Sequence, residues 1–235
     1  MDKYALITGC SKGIGKSIAL ELAREGYSII GTYNTSQEEI KKLKTEVETK
    51  GVKFDYYKLN LLDDNSIDVF LKNINNNYKN IEILVNNAAL SLDDELDNKT
   101  SKEFQDILKV NLVGPFSLIK GLKDKLKIVI NIASTDGIDT YSSLNIDYSA
   151  SKAGLINLTK SLALTLPRIK ILAICPNWVE TESIEEMDQE YLKQEMKRLN
   201  QKQLIKPNEI SKKIINIINS DIKSGEIIVM RDSNE

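Results

Sequence analysis

The stretch Thr8-Gly-Cys-Ser-Lys-Gly-Ile-Gly15 decides the fold. It leaves the apolar run Tyr4–Thr8, which reads as a buried strand, and enters an amphipathic pattern carrying Ile18, Leu20 and Leu22. Glycines are needed where a chain turns sharply out of a strand and where its backbone must approach another group closely. A helix starting after such a turn presents unpaired N–H groups, which attract phosphate. The spacing is Gly-x-x-x-Gly-x-Gly rather than Gly-x-Gly-x-x-Gly. On the loop alone, a plain strand-to-helix turn therefore stays open. Its place as the first βα turn favours a nucleotide.

Outward from this loop, short apolar runs alternate with helical patterns of about 12–20 residues, the rhythm of βαβ crossovers. The runs are Tyr4–Thr8, Ser28–Tyr33, Lys53–Asn60, Ile81–Asn86, Lys127–Ile132, Ile169–Cys175 and Glu226–Met230. Ile128-Val-Ile-Asn-Ile132 and Ile169-Lys-Ile-Leu-Ala-Ile-Cys175 are nearly continuous in apolar character, as parallel strands buried on both faces are. The charged pattern from Gln37 to Lys50 predicts a helix on the outside. The expected architecture is α/β: one domain over residues 1–235, a doubly wound Rossmann-type parallel sheet of about seven strands with helices on both faces. Such sheets bind ligands beyond the carboxyl ends of their strands.

The composition narrows the chemistry. The 235 residues are 41% hydrophobic, carry a net charge of −2 and include no histidine. Ser-His-Asp and Cys-His catalysis and the usual zinc sites are excluded, so any proton transfer falls to Tyr, Lys or a carboxylate. No metal ligand cluster is expected. Cys10 and Cys175 make no disulfide framework. No long block of one charge predicts a nucleic-acid or membrane partner. The chain enters Lys3-Tyr-Ala-Leu-Ile-Thr8 without a signal peptide, and the cytoplasm is the expected location.

Asp147-Tyr-Ser-Ala-Ser-Lys-Ala-Gly154 then supplies a tyrosine–lysine pair. Four residues apart on a helix, Tyr148 and Lys152 share a face. Lowering a phenol pKa from about 10 by two to three units needs roughly 3–4 kcal/mol. One cation at ~4 Å, at an effective dielectric of ~20, supplies about that much. The pair by itself is also an ordinary helix-surface pair.

With the glycine loop and this pair in view, the chain resembles the short-chain dehydrogenase/reductase superfamily from Thr8 to about Val229. Four further stretches fall in the family's order: Asn86-Asn-Ala-Ala89, Asn111 in Val110-Asn-Leu-Val-Gly114, Ser134 in Asn131-Ile-Ala-Ser-Thr-Asp-Gly137, and Pro176-Asn-Trp-Val-Glu-Thr181. The resemblance implies a catalytic set of Asn111, Ser134, Tyr148 and Lys152. Tyr148 would be the acid in reduction and the base in oxidation. Lys152 would lower its pKa and hold the nicotinamide ribose. Ser134 would hold the substrate carbonyl oxygen, and Asn111 would bend its helix and hold a water linked to Lys152.

The same resemblance places Gly9, Ser11, Lys12, Gly13, Ile14 and Gly15 around the cofactor phosphates and Asn60 and Leu61 beside the adenine. Asn87, Ala88 and Ala89 would lie along a ribose, and Pro176, Val179 and Thr181 near the nicotinamide. An NAD site usually carries an acid at the end of strand two. Here that end reads Gly31-Thr-Tyr-Asn-Thr-Ser36. Asn34, Thr35 and Ser36 are neutral donors and Lys12 is a cation placed for a 2′-phosphate. NADPH/NADP is expected ahead of NAD.

In general pattern the chain is similar to bacterial 3-oxoacyl-acyl-carrier-protein reductases. The implied substrate is a small carbonyl or alcohol, with carrier-bound thioesters, small ketones and sugars all open. A homodimer or homotetramer is implied. Departures from the family pattern are Asn177 where a glycine is usual, a Ser134-to-Tyr148 interval longer by one, and an atypical end, Val229–Glu235. Residues 182–201 correspond to the family's mobile lid. Ile184, Met187, Tyr191, Leu192 and Met196 would cover a substrate or pack the segment down, and Trp178 would touch substrate or core. Lys123, Lys125 and Lys127 would face an acidic carrier or solvent. A cofactor-binding regulator without turnover is the competing reading.

Overall fold

The computed structural model describes residues 3–185 and 187–233. The outermost residues of the expected 1–235 domain, and Glu186 of the expected lid, lie outside the described residues. In chain order the elements are β1 (Tyr4–Ile7), α1 (Gly13–Arg24), β2 (Ser28–Tyr33), α2 (Gln37–Glu48), β3 (Phe54–Lys58), α3 (Asp64–Asn77), β4 (Ile83–Asn86), α4 (Ser101–Leu108) and α5 (Gly114–Leu122). They continue as β5 (Ile128–Ile132), α6 (Ile146–Thr165), β6 (Lys170–Pro176), α7 (Glu182–Glu185), α8 (Gln189–Arg198), α9 (Pro207–Ile218) and β7 (Ile227–Met230). One π-helical turn, Lys109–Val113, joins α4 to α5, and a 3₁₀ turn, Thr135–Gly137, follows β5.

The strands form one sheet in the order β3-β2-β1-β4-β5-β6-β7. Every neighbouring pair is parallel. All seven expected strands are present. The ends shift by up to two residues: β3 stops at Lys58, two before the expected end, and β6 runs on through Pro176. Alternation along each strand fills both faces. Ala5, Ile7 and Ile29 pack with Ile18, Leu22, Ile40, Leu43, Ile210 and Ile214 of α1, α2 and α9. Leu6, Ile30, Leu84 and Val129 pack on the other side with Ile67, Phe70, Leu118 and Ile119 of α3 and α5.

α2 refines one expectation. Its outer face is charged, yet Ile40, Leu43 and Val47 are fully buried, so the i, i+3, i+7 stripe seats it in the core. α6 is different in kind, because it buries Asp147, Ser151, Lys152 and Thr159. Buried polar groups need partners, and those partners fix where α6 sits. Among the described residues no helix is long and apolar enough to cross a membrane.

The sheet order positions the site. From β1 the chain builds outward through β2 and β3, then returns to place β4 on the other side of β1. Crossovers on the two sides diverge there, leaving a crevice beyond the carboxyl ends of β1 and β4.

Candidate active site

That crevice holds the glycine loop. Gly9 and Gly13 take positive φ of 60° and 56°. The Gly9 N–H donates to the Thr32 hydroxyl at 3.2 Å, and the Cys10 N–H to the Thr32 carbonyl at 3.1 Å. From the other side, Asn87 Nδ2 donates to the carbonyls of Thr8 and Gly9 at 3.0 and 2.9 Å. Thr8 Oγ1 accepts from the N–H groups of Asn87 and Ala88 at 2.9 and 3.0 Å. The loop is thus tied to β2 and β4 at once. A Cβ on Gly15 would sit 2.5 Å from the Gly9 carbonyl oxygen and 2.6 Å from Asn87 Nδ2, so only glycine lets α1 start this close.

α1 begins without a side-chain cap and with no acid in its first turn. By contrast, Asp63 caps α3 and Thr100 caps α4. The free donors of α1 open on a cavity of about 760 Å³. Uncapped N–H groups, a close-packed glycine loop and the nearby cation Lys12 together fit a dinucleotide pyrophosphate.

The cavity wall includes Gly9, Ser11, Lys12, Gly13, Ile14, Asn34, Thr35, Ser36 and Leu61 at the loop end. Asn87, Ala88, Ala89, Ser134, Tyr148, Val179 and Thr181 continue it. Other expected residues do not line it, each for a visible reason. Gly15 is a packing spacer. Asn60 turns its Oδ1 to the Leu62 N–H at 3.1 Å, and Leu59 lines the wall beside Leu61 instead. Pro176 is paired with Met230 inside the sheet. Asn111 and Lys152 lie behind the wall, 1% and 2% exposed. Residues that line the cavity without a sequence expectation include Ser91, Asp93, Asp136 and Asn145. Two of them, Asp93 and Asp136, bring negative charge to the end where Ser134 and Tyr148 stand.

The catalytic candidates are held from beneath. Asn111 sits in the π-helical turn between α4 and α5. Its Nδ2 donates to the Leu90 carbonyl at 2.9 Å and to Ser151 Oγ at 3.0 Å, while its Oδ1 accepts from the Leu90 N–H at 2.8 Å. Both amide hydrogens are engaged, and the side chain links the loop after β4 to α6. Lys152 Nζ donates to the Ile132 carbonyl at 2.8 Å and lies 5.3 Å from the Tyr148 ring centre.

Here the electrostatic expectation is corrected. Burial pushes the Tyr148 phenol well above its ordinary value, the Asp136 charge adds to the rise, and the Ser134 hydroxyl works against it. Burial brings Lys152 down to about 8. Desolvation disfavours the charged form of each group and is the largest cause of both shifts. Asp136 is also raised, by burial first; a hydrogen bond from Ser134 opposes this and the Asp93 charge reinforces it.

Around the mouth, Asn177 does not adopt a positive φ. Its N–H donates to the Met230 carbonyl at 2.8 Å and its Oδ1 accepts from Thr135 at 3.3 Å. The apolar members of 182–201 divide: Ile184 and Met187 line the cavity with Trp178, whereas Leu192 is buried and Tyr191 and Met196 do not reach it. Lys123 and Lys127 pair with Asp124 and Glu82, and Lys125 donates to the Asn75 and Tyr78 carbonyls. All three precede β5, at the end of the sheet away from the cavity. No cluster of potential metal ligands occurs among the described residues.

A parallel sheet with a phosphate-ready crevice, and a tyrosine and serine on its wall, defines a nicotinamide-dependent oxidoreductase. The sequence profile of the short chain dehydrogenases matches residues 3–192, and the chain belongs to that family. It is 33% identical over 204 residues to the 3-oxoacyl-[acyl-carrier-protein] reductase FabG of Staphylococcus aureus strain Mu50, covering 83% of this chain and 82% of the relative. It is 38% identical over 204 residues to the FabG of Aquifex aeolicus, covering 82% of each. A dehydrogenase/reductase from Sinorhizobium meliloti superposes with a TM-score of 0.88 at 25% identity, covering 97% of this chain and 93% of that one. A short chain dehydrogenase from Burkholderia cenocepacia, solved with NADP, shares the fold with a TM-score of 0.90 at 24% identity, covering 97% and 96%.

Proposed function

We propose that the chain reduces a carbonyl compound to an alcohol with NADPH, Tyr148 delivering the proton. The observation that carries this reading is the sharing of one cavity by Ser134, Tyr148, the glycine loop and the uncapped start of α1. The nicotinamide, when bound, supplies the hydride. The protein's part is orientation and charge. Ser11 to Ile14, on the cavity wall, hold phosphate through backbone N–H groups. Ser134 donates a hydrogen bond to the carbonyl oxygen, where negative charge develops. Tyr148 protonates that oxygen as it becomes an alkoxide. Lys152, brought down to about 8 by burial, stays mostly protonated at pH 7 and gives up a proton more readily than an ordinary lysine.

NADPH is favoured over NADH by the end of β2. Asn34, Thr35 and Ser36 line the cavity there without a carboxylate, and Lys12 is exposed on the same wall. The relatives' names make a 3-oxoacyl thioester the first substrate to try.

The test is a panel of 3-oxoacyl thioesters, small ketones and sugars with NADPH and NADH, using wild type and Tyr148→Phe. The expected result is turnover with NADPH that falls by roughly 10²–10⁴-fold in Tyr148→Phe, the usual worth of a general acid, with NADPH binding retained. Equal turnover in the two proteins would remove Tyr148 from the chemistry. NADPH binding with no turnover anywhere in the panel would favour a regulator.

A further inference from the structure

Ser134 has one hydrogen to give, and in this structure Asp136 receives it. Ser134 Oγ donates to Asp136 Oδ2 at 2.9 Å and accepts from the Asp136 N–H at 3.1 Å. Both residues line the cavity. While Asp136 is ionised, Ser134 must leave a charge-assisted bond before it donates to anything else. With a proton on Asp136 the polarity reverses. The carboxylic acid then donates to Ser134 Oγ, and the serine hydrogen is free to turn into the cavity.

We propose that Asp136 is a positioning residue that sets the direction of the Ser134 hydrogen bond, and that carbonyl reduction is fastest when the Asp136 carboxyl carries a proton. This rests on the reading of Ser134 as the donor to the substrate carbonyl. The proton comes from solvent and remains on Asp136, so the hydride transfer itself is unchanged.

The surroundings suit such a switch. Asp93, on the loop after β4, and Glu195 on α8 place negative charge toward Asp136, and Arg198 on α8 places positive charge there. Tyr148 and Lys152 face it from α6, and each feels its charge. Burial and the like charges outweigh Ser134 and Arg198, holding the Asp136 carboxyl above the ordinary aspartate value. Nothing in the spacing of Ser134 and Asp136 announces this, since Ser134 caps the 3₁₀ turn and acids are common in a first turn.

The test follows kcat/KM against pH with NADPH and ethyl 3-oxobutanoate for wild type, Asp136→Asn, Asp136→Ala and Tyr148→Phe. Wild type should lose activity as pH rises through the titration of a carboxyl held above the ordinary aspartate value. Both Asp136 variants should be flat there, and Asp136→Ala should exceed wild type near neutrality by roughly tenfold, the worth of one charge-assisted bond that need not be broken. Variants that keep the wild-type slope, or that lose turnover equally at every pH, overturn the proposal. A second measurement needs no turnover: the Asp136 carboxyl is titrated by carbon-13 NMR in the NADPH-bound protein. Ser134→Ala should raise its midpoint, and an unchanged midpoint overturns the proposal. Wild-type activity in Tyr148→Phe would instead remove the proton-transfer reading beneath it.

Discussion

Lys99 and Asp147 form a closed ion pair at the start of α6. Lys99 Nζ lies 2.9 and 2.8 Å from the two carboxylate oxygens, and the side chains are 6% and 0% exposed. Lys99 also donates to the Leu92 carbonyl, and Asp147 Oδ1 accepts the Tyr148 N–H at 2.9 Å. The pair therefore joins the loop that carries Asp93 to the helix turn that carries Tyr148. Removing one partner strands a buried charge, which costs about 3–5 kcal/mol. Lys99→Met should lower stability in urea by that amount, and Lys99→Met with Asp147→Leu should recover much of it. A single-variant loss below about 1 kcal/mol, the worth of a surface pair, would show that the pair is dispensable.

Lys152 yields a pH-dependent prediction. Its folded pKa is about 8 against an ordinary 10.5. Between those values the unfolded chain keeps a proton that the folded chain releases, so this group makes stability rise with pH across that window. Below pH 8 its penalty is present in full. Lys152→Met should be more stable than wild type at pH 7, by on the order of 3 kcal/mol, with the advantage shrinking from pH 8 upward. Cys10 and Cys175, each pushed up to about 12 by burial, act in the opposite direction above pH 9. They are present in both proteins, so comparing the two cancels most of their effect. Parallel stability curves would refute the burial argument.

Gly15→Ala should damage cofactor binding through packing alone. Its new methyl would meet backbone oxygen at 2.5 Å and the Asn87 amide at 2.6 Å. Overpacking of this kind costs about 1–3 kcal/mol, and the loop moved by it is the one opening on the cavity. Calorimetry should show NADPH binding weakened by roughly tenfold or more, the equivalent of about 1.4 kcal/mol. Gly51→Ala is the control: φ there is +81°, but no atom lies within 4 Å of the added carbon. It should cost some stability and leave NADPH affinity alone.

Lys12→Ala should separate the two cofactors. Lys12 makes no ion pair among the described residues and stands on the cavity wall. Loss of its contact to a 2′-phosphate should raise KM for NADPH by roughly tenfold, in line with a charge-assisted bond. KM for NADH should hardly move. Equal changes with both cofactors would place the 2′-phosphate elsewhere.

The sequence was most informative where backbone periodicity decides the outcome. Apolar runs such as Ile128–Ile132 became central strands, and the loop from Thr8 to Gly15 took the place expected at the switch point. Spacing also put Tyr148 and Lys152 on one helix, but spacing fixes a face and not the end of a long side chain. Lys152 reaches the Ile132 carbonyl, 20 residues earlier, and no local pattern announces that. The partnership of Lys99 with Asp147 spans 48 positions, beyond any periodicity. Asp136 was hidden for another reason: its meaning depends on a rotamer aimed back at Ser134, and turn acids are common. Asn60 erred by one position, because its amide closes a local turn and leaves Leu59 and Leu61 to the wall.

Strand polarity has a practical corollary. Because every strand runs the same way, Asp124 lies on the side of the molecule opposite the mouth, with its side chain 88% exposed. The two native thiols are both sealed inside. A cysteine at position 124 would thus be the one reactive sulfur on the surface, and a bead or electrode grafted there would leave the entrance facing open solution.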